Sequence, residues 1–275
     1  MKILCIHHGN CADGFAAAWV VRKVFGEENV EFVAGVYQTP PPDVKGRNVI
    51  LVDFSYKRPV LEKMVEDADS VTVLDHHKTA EADLTGLAGA DTVFDMSRSG
   101  ARIAWDYFFP DIAPPQLLLH IEDRDLWRFE LPSTREIQAA IFSYPYDFAV
   151  WDKLMTLDPV NLIAEGTAIE RKHFKDIVEL VKVCRRELKI GGVVVPAASL
   201  PYTLTSDAGH LMAIEHPSKI GVCYWDTPVG RVFSLRSTDD GPDVSEIAKQ
   251  YGGGGHAHAA GFTVPFSVAA SFEVI

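Results

Sequence analysis

Short apolar runs alternate with helix-like segments through the first 155 residues, and this alternation constrains the fold most strongly. The predicted strands are Lys2–Ile6, Glu31–Val36, Val49–Val52, Ser70–Leu74 and Thr92–Phe94. The predicted helices are Ala12–Phe25, Arg58–Asp67, Ala101–Phe109 and Gln116–Ile121. Such alternation is typical of a parallel sheet whose strands are joined by right-handed helical crossovers. We therefore predict an α/β fold built on a parallel sheet.

A second, smaller α/β unit follows a long helical segment. Apolar residues recur at helical spacing between Pro159 and Leu188, and Gly191-Gly192 would end that helix. Beyond it, we predict strands at Val193–Val195, Ile220–Trp225 and Val232–Leu235 and helices at Ser206–Ile214 and Val244–Tyr251. The predicted organisation is a domain over residues 1–155, a helical linker over 156–190 and a domain over 191–275.

Charge and cysteine content narrow the function. Lys and Arg number 26 against 38 Asp and Glu, and a net charge of −12 argues against charge-driven binding to long duplex nucleic acid. A small phosphorylated ligand is compatible with this charge, because bound metal ions reverse the local field. The four cysteines form no CxxC pair, and no apolar run approaches the ~18 residues of a membrane span. We expect a reduced, cytoplasmic protein that binds no membrane, and the sequence leaves a homodimer open.

Acidic and histidine residues follow the predicted strands at their carboxyl ends. Three groups do so: His7-His8 with Asp13, then Asp53, then Asp75-His76-His77. A fourth group, Glu122-Asp123-Arg124-Asp125, follows the Gln116–Ile121 helix. Ligands of open α/β sheets bind outside the carboxyl ends of the strands, so we expect the groups to converge. Carboxylates and imidazoles suit Mn²⁺, Mg²⁺ or Zn²⁺ better than thiophilic metals.

Each group alone also has a structural explanation. Asp53 could cap the helix that follows it, and a lone histidine is more often a core or solvated residue than a ligand. Asp123 and Asp125 could be surface charges. The order of all four groups along the chain favours one shared site over four unrelated features.

The run Gly252-Gly253-Gly254-Gly255-His256 is a second candidate site. Glycines let backbone N–H groups approach an anion closely, although a flexible loop is the simpler alternative. Ala and Gly residues flank the histidine after this run, which is unusual for a mere linker. We therefore predict an anion-binding loop.

The chain carries His8 with Asp13-Gly14, Val52-Asp53, the triplet Asp75-His76-His77, Asp123, and GGGGHAHAAGF near its end. In this order the motifs resemble the DHH phosphoesterase superfamily with its DHH-associated C-terminal domain. The resemblance covers nearly the whole chain, and a DHH triplet paired with a distant GGGH motif is highly specific. The superfamily includes the exonuclease RecJ, nano-RNases, bisphosphate-nucleotide phosphatases and cyclic-dinucleotide phosphodiesterases.

The resemblance implies two divalent metal ions, Mn²⁺ in preference to Mg²⁺. The implied metal ligands are His7 or His8, Asp13, Asp53, His76 and Asp123, with Asp53 bridging the two ions. His77 would face the scissile phosphate, and Asp75 would orient His76. The residues implied to bind the nucleotide away from the metals are Arg236, Ser237, Gly253, Gly254, Gly255 and His256.

Three positions depart from the superfamily pattern or leave a choice. Cys11 stands where many members carry a second Asp, which implies a metal held by fewer carboxylates or by a thiolate. His7 competes with His8, and Asp125 competes with Asp123, for one ligand position each.

The expected function is hydrolysis of very short oligonucleotides or of cyclic dinucleotides, such as cyclic GMP-AMP or cyclic di-AMP, by a two-metal phosphodiesterase. One alternative is a phosphatase acting on 3′,5′-bisphosphate nucleotides. Another is a non-catalytic module that binds or senses nucleotides, for which Cys11 is the best argument.

Overall fold

The structure is a computed structural model that describes residues 3–37 and 39–272, so the predicted strand residue Lys2 lies outside the described residues. It divides into two compact units, Met1–Glu170 and Arg171–Ile275. Each unit is built around its own sheet and mixes helices with strands.

A parallel sheet forms the centre of the first unit. Its strands, as far as the chain is described, are β1 (Ile3–His8), β2 (Val30–Gly35), β3 (Asn48–Val52), β4 (Ser70–Asp75) and β5 (Asp91–Phe94). They lie in the order β2-β1-β3-β4-β5, and every neighbouring pair is parallel. The chain turns to opposite sides of β1 to reach β2 and β3, which opens a crevice at their carboxyl ends. The predicted parallel α/β fold is confirmed.

Helices cover both faces of this sheet. They are α1 (Ala12–Phe25), α2 (Arg58–Asp67), α3 (Lys78–Leu84), α4 (Gly100–Phe108), α5 (Gln116–Asp125), α6 (Thr134–Ile141), α7 (Phe148–Thr156) and the start of α8 (Ile163–Cys184). Strand β1 packs Cys5 into the core beneath α1 and α4, and Leu4 and Ile6 into the core beneath α2. Burial on both faces explains why the strand is apolar from Ile3 to Ile6, before its two histidines.

The predicted long helix ends earlier than expected. Helix α8 stops at Cys184, and Arg186–Ile190 forms strand β6, which pairs with β7 (Val193–Ser199) in antiparallel fashion. Gly191 and Gly192 have φ of +59° and +82°, so they form the turn of this hairpin. The prediction of helix through Leu188 was therefore wrong.

The second unit holds a mixed sheet. After β6 and β7 come α9 (Thr205–Glu215), β8 (Ile220–Thr227), β9 (Gly230–Ser237), α10 (Val244–Lys249), β10 (Gly254–Gly255), β11 (Ala259–Val264) and α11 (Phe266–Ala269). The strand order is β10-β11-β9-β8-β7-β6, in which β7 and β8 are parallel and the other pairs antiparallel. Apolar side chains such as Val222, Phe233 and Phe262 form its core. Within the described residues, no helix is both long and apolar enough to cross a membrane.

Candidate metal centre

Asp53 lies at the crevice of the first unit, directly after β3, and its backbone is left-handed with φ of 52°. This conformation costs of order 1 kcal/mol or more for a residue with a side chain. The Asp53 amide donates a hydrogen bond to the Leu74 carbonyl (2.9 Å), which ties it to β4. The position of Asp53 is therefore imposed by the sheet.

Two histidines flank the Asp53 carboxylate. Its Oδ1 accepts a hydrogen bond from His76 Nε2 at 3.1 Å. Its Oδ2 lies 3.4 Å from His8 Nδ1, in geometry too poor for a hydrogen bond, and is buried without a hydrogen-bond partner. A buried carboxylate oxygen in this state is costly, and a bound cation would satisfy it.

Three groups of potential ligands within the first unit lie at or beside Asp53. One comprises His8, Cys11 and Asp53, a second comprises Asp13, His76 and Asp125, and a third comprises Asp53, Asp75 and His77. Within each group the ligand atoms all lie within 4.8 Å of one another. Oxygen, imidazole and thiol donors of this kind fit divalent cations.

The charges of the cluster also favour a cation. Burial, then repulsion from Asp53 and Asp125, raises the pKa of the Asp13 carboxyl well above its usual value. Burial opposes ionisation of Asp53 too, but the hydrogen bond from His76 and the adjacent His8 imidazole hold the pKa of Asp53 well below its usual range. Burial lowers the pKa of His76, yet Asp53, Asp125 and Asp13 outweigh it and raise that pKa to about 10. A divalent ion would relieve the repulsion between these carboxylates.

The start of α4 supports the cluster, and sequence reasoning missed it. The amide of Ala101 donates to both oxygens of Asp13, at 3.1 and 3.3 Å. A Cβ added to Gly100 would lie 2.4 Å from Asp53 Cβ and 2.9 Å from Asp13 Oδ2. Ser99 caps the helix by accepting a hydrogen bond from the Arg102 amide. The Ser-Gly pair at a helix start was the available signal.

Asp75 and His77 form a hydrogen-bonded pair at the end of β4. Asp75 Oδ1 lies 2.7 Å from His77 Nδ1 and accepts backbone hydrogen bonds from His76 and His77, while Oδ2 accepts one from Ser55 Oγ. Burial lowers the pKa of His77, but the Asp75 carboxylate outweighs burial and raises it. We expected Asp75 to orient the His76 imidazole; the structure instead places its carboxylate on the His77 imidazole.

The positions of the alternative ligands, His7 or His8 and Asp123 or Asp125, can be compared directly. His8 lies beside Asp53, whereas His7 is buried, with its Nδ1 3.1 Å from the His8 carbonyl oxygen. Burial lowers the pKa of His7. Asp125 lies 3.4 Å from His76 Nε2, whereas no ligand group among the described residues contains His7 or Asp123.

Asp123 stabilises the loop after α5 instead. Its carboxylate accepts hydrogen bonds from the amides of Glu130 and Leu131 at 2.9 and 3.1 Å, and from Thr134 Oγ1 at 2.6 Å. The loop contains three residues with left-handed backbones, at Trp127, Phe129 and Ser133. Both oxygens of Asp123 therefore already accept hydrogen bonds from this loop and from α6.

In the second unit, Arg236 is fixed by serines that the sequence did not single out. Its Nη2 donates to Ser206 Oγ at 2.8 Å, and its Nη1 donates to Ser234 Oγ at 3.0 Å. Ser237 Oγ lies 2.9 Å from His258 Nδ1. The contacts with Ser206 and Ser234 preorganise the guanidinium of Arg236.

The glycine run packs closely against a neighbouring strand. A Cβ at Gly253 would lie 2.1 Å from the Gly261 oxygen, and one at Gly255 would lie 2.5 Å from the Ala259 oxygen. The His256 amide donates to the Ala259 carbonyl at 2.8 Å. Backbone packing alone therefore accounts for two of the glycines, and anion binding by this loop stays a prediction.

Comparisons with known proteins identify one domain family and one relative. The DHHA1 domain family matches residues 209–272. The chain is 30% identical over 278 residues to an uncharacterized protein, R106, of Acanthamoeba polyphaga mimivirus, covering 93% of this chain and 66% of the viral protein. The chain thus spans about two thirds of the length of that relative.

The solved structure of RecJ has a fold similar to that of this chain. RecJ from Thermus thermophilus in complex with Mn²⁺ is 14% identical, with a TM-score of 0.54 over 98% of this chain and 50% of RecJ. A pGpG-specific phosphodiesterase, PggH from Vibrio, is 14% identical, with a TM-score of 0.42 over 98% of this chain and 94% of its own. The chain therefore carries a DHHA1 domain at residues 209–272, has a fold similar to that of RecJ and ends β4 with a DHH triplet, as the resemblance to the DHH phosphoesterase superfamily implied.

Proposed function

We propose that the chain is a metal-dependent phosphoesterase. The observation that carries the proposal is the buried Asp53 carboxylate, whose Oδ1 faces His76 and whose Oδ2 faces His8, each of these histidines being a member of a group of potential ligands. RecJ, which shares the fold, is described in complex with Mn²⁺, and this supports divalent metals here. Two bound cations would supply Lewis acidity and an activated water for hydrolysis of a phosphate ester.

The proposed ligand set differs in one residue from the set that the resemblance implied. Asp125 replaces Asp123, and His8 is preferred to His7, because Asp125 lies beside His76 and His8 lies beside Asp53. Asp13 completes the second ligand group. Together these residues hold the cations and fix their positions relative to the substrate.

His77 would act on the substrate directly. Its Nδ1 is held by Asp75 at 2.7 Å, which fixes the plane of the imidazole. The same carboxylate favours the protonated ring, so His77 can donate a hydrogen bond to a phosphoryl oxygen as negative charge develops there. Asp75 acts through His77 and is a positioning residue.

The proposed substrate is a very short oligonucleotide or a cyclic dinucleotide. The net charge of −12 disfavours long nucleic acids, and Arg236, held by Ser206 and Ser234, is prepared to bind a phosphate or a base edge. A phosphatase acting on 3′,5′-bisphosphate adenosine would use the same cation cluster and is the second candidate.

A single hydrolysis screen tests the proposal. Linear dinucleotides, cyclic dinucleotides, 3′,5′-bisphosphate adenosine and a long single strand are incubated with the protein and Mn²⁺, with and without excess chelator. We expect cleavage of the dinucleotides that chelation abolishes. Release of phosphate from the bisphosphate alone would favour the phosphatase, and hydrolysis that survives chelation would refute the metal mechanism.

A further inference from the structure

Cys11 differs from the other cysteines in its surroundings. Cys5 and Cys223 are fully buried in apolar cores, and Cys184 ends helix α8. Within the described part of the chain, Cys11 is the only cysteine that lies in a group of potential metal ligands. Its partners there are His8 and Asp53.

The backbone fixes Cys11 beside His8. Cys11 precedes α1 in an extended conformation, and the structure shows no capping hydrogen bond from its side chain. The preceding residue, Asn10, is left-handed with φ of 54°. A Cβ at Gly14 would lie 2.5 Å from the His8 carbonyl oxygen, so α1 begins in close contact with the end of β1. This tight turn leaves the Cys11 side chain at the crevice.

A second observation indicates a ligand at the same place. Asp53 is 1% exposed, and its Oδ2, on the His8 side, has no hydrogen bond in the described structure. The thiol, the imidazole and this carboxylate each offer one ligand atom, all within 4.8 Å of one another. A cation bound by the three would satisfy the buried oxygen.

We infer that His8, Cys11 and Asp53 form a thiolate-containing site that selects a borderline divalent ion such as Zn²⁺ over Mn²⁺ or Mg²⁺. Thiolate ligands favour Zn²⁺, while carboxylates favour the harder ions. The Cys11 thiol proton leaves to the buffer as the sulfur–metal bond forms. Three protein ligands also leave a coordination position open for water or substrate.

The neighbouring group is chemically different. Asp13 and Asp125 supply oxygen and His76 supplies nitrogen, a set that suits Mn²⁺ or Mg²⁺. The two sites of the proposed metal centre are therefore unequal, and the protein would bind two different metals at once. This inference rests on the proposed metal centre and adds the identity of one of its ions.

Equilibrium spectroscopy with Co²⁺ tests the inference without any substrate. Co²⁺ is titrated into metal-free protein while the near-ultraviolet thiolate-to-cobalt charge-transfer band is recorded, and Zn²⁺ is then added in competition. We expect the band in the parent protein and its removal by Zn²⁺ but not by equal Mn²⁺. Cys11→Ser should lose the band and bind Zn²⁺ at least ~100-fold more weakly, because even residues that only support a ligand cost about 10- to 100-fold.

Two further variants sharpen the test. Cys184→Ser, remote in sequence from every ligand, should keep both the band and the Zn²⁺ affinity. Cys11→Asp should lose the band and shift preference at this site towards Mn²⁺. An unchanged Zn²⁺ affinity in Cys11→Ser would overturn the inference, as would Co²⁺ binding to the parent protein without the charge-transfer band.

The outcomes also separate this inference from the proposed function. A parent protein that shows the thiolate band but hydrolyses no phosphate ester would retain the site and refute the function. A parent protein that hydrolyses esters in Mn²⁺ without the band would retain the function and refute the thiolate ligand. Absence of any Co²⁺ binding would refute both.

Discussion

Gly100→Ala should damage the cation cluster without replacing any ligand. The added Cβ would lie 2.4 Å from Asp53 Cβ, 2.8 Å from Asp53 Cα and 2.9 Å from Asp13 Oδ2. An ordinary contact begins at 3.4 Å, so Asp53 and α4 must separate by about 1 Å. Because the Asp53 backbone is hydrogen-bonded to β4, it cannot yield freely.

The expected loss follows from that displacement. Overpacking of a filled core costs about 1–3 kcal/mol of unfolding free energy. Misplacement of a reacting group by about 1 Å can cost about 100-fold in rate. We therefore expect Gly100→Ala to fold with reduced stability and to hydrolyse bis-p-nitrophenyl phosphate about 100-fold more slowly in saturating Mn²⁺.

A matched control separates stability from alignment. Gly86 has φ of +77° and no atom within 4 Å of an added Cβ, so Gly86→Ala should lose about 1–2 kcal/mol through backbone strain alone. Urea unfolding measures both losses, and turnover is compared at equal folded protein. Equal turnover in Gly100→Ala, Gly86→Ala and the parent would refute the close packing of α4 on Asp53 as a requirement for activity.

Three other predictions address single side chains. Asp125→Asn should weaken Mn²⁺ binding in calorimetry at least ~10-fold and leave the free energy of urea unfolding nearly unchanged. Asp123→Ala should instead cost about 1–3 kcal/mol of unfolding free energy, because its hydrogen bonds to the loop are lost, and the reverse pattern would return Asp123 to the ligand set. Because the pKa of His76 is raised to about 10, its imidazole holds a proton at neutral pH in the metal-free protein, and a cation must displace that proton. The affinity for Mn²⁺ should therefore rise by up to about tenfold per pH unit between pH 7 and 9, and an affinity that does not change with pH would contradict this. Arg236→Ala should raise KM for a dinucleotide about ten- to hundredfold, because a charge-assisted contact contributes about 1.5–3 kcal/mol, while cleavage of bis-p-nitrophenyl phosphate should stay the same. Equal losses on both substrates would show that Arg236 supports the metal centre instead.

The sequence predicted where the cluster lies but not which of two near neighbours enters it. Consecutive strand residues point to opposite faces, so His7 and His8 cannot both reach Asp53. A shift of one residue in the predicted end of β1 exchanges the two histidines, so the sequence does not show which of them faces Asp53. Asp123 and Asp125 are about 200° apart around helix α5, and the rotation of that helix is set by its packing. Such choices depend on tertiary contacts that a single sequence does not contain.

Two other features were missed for related reasons. Arg186–Ile190 is short. Its Leu188 continues the helical spacing of α8, but Leu188 and Ile190 together also fit the alternation of a strand, so pairing with β7 decided the outcome. The approach of Gly100 to Asp53 joins residues 47 positions apart in the chain, and the glycine becomes informative once α4 is placed on the sheet.

The left-handed backbone at Asp53 limits which inactive variants of this protein can be interpreted. Asp and Asn adopt this conformation far more readily than alanine does, because their short polar side chains bond locally. Asp53→Ala would therefore combine the loss of a ligand with a change in the backbone conformation after β3, and an inactive variant would not show which of the two was the cause. Asp53→Asn retains shape and backbone preference while it removes the negative charge. Evolution faces the same restriction: the residue after β3 is confined to a few amino acids by the backbone before its chemistry is selected.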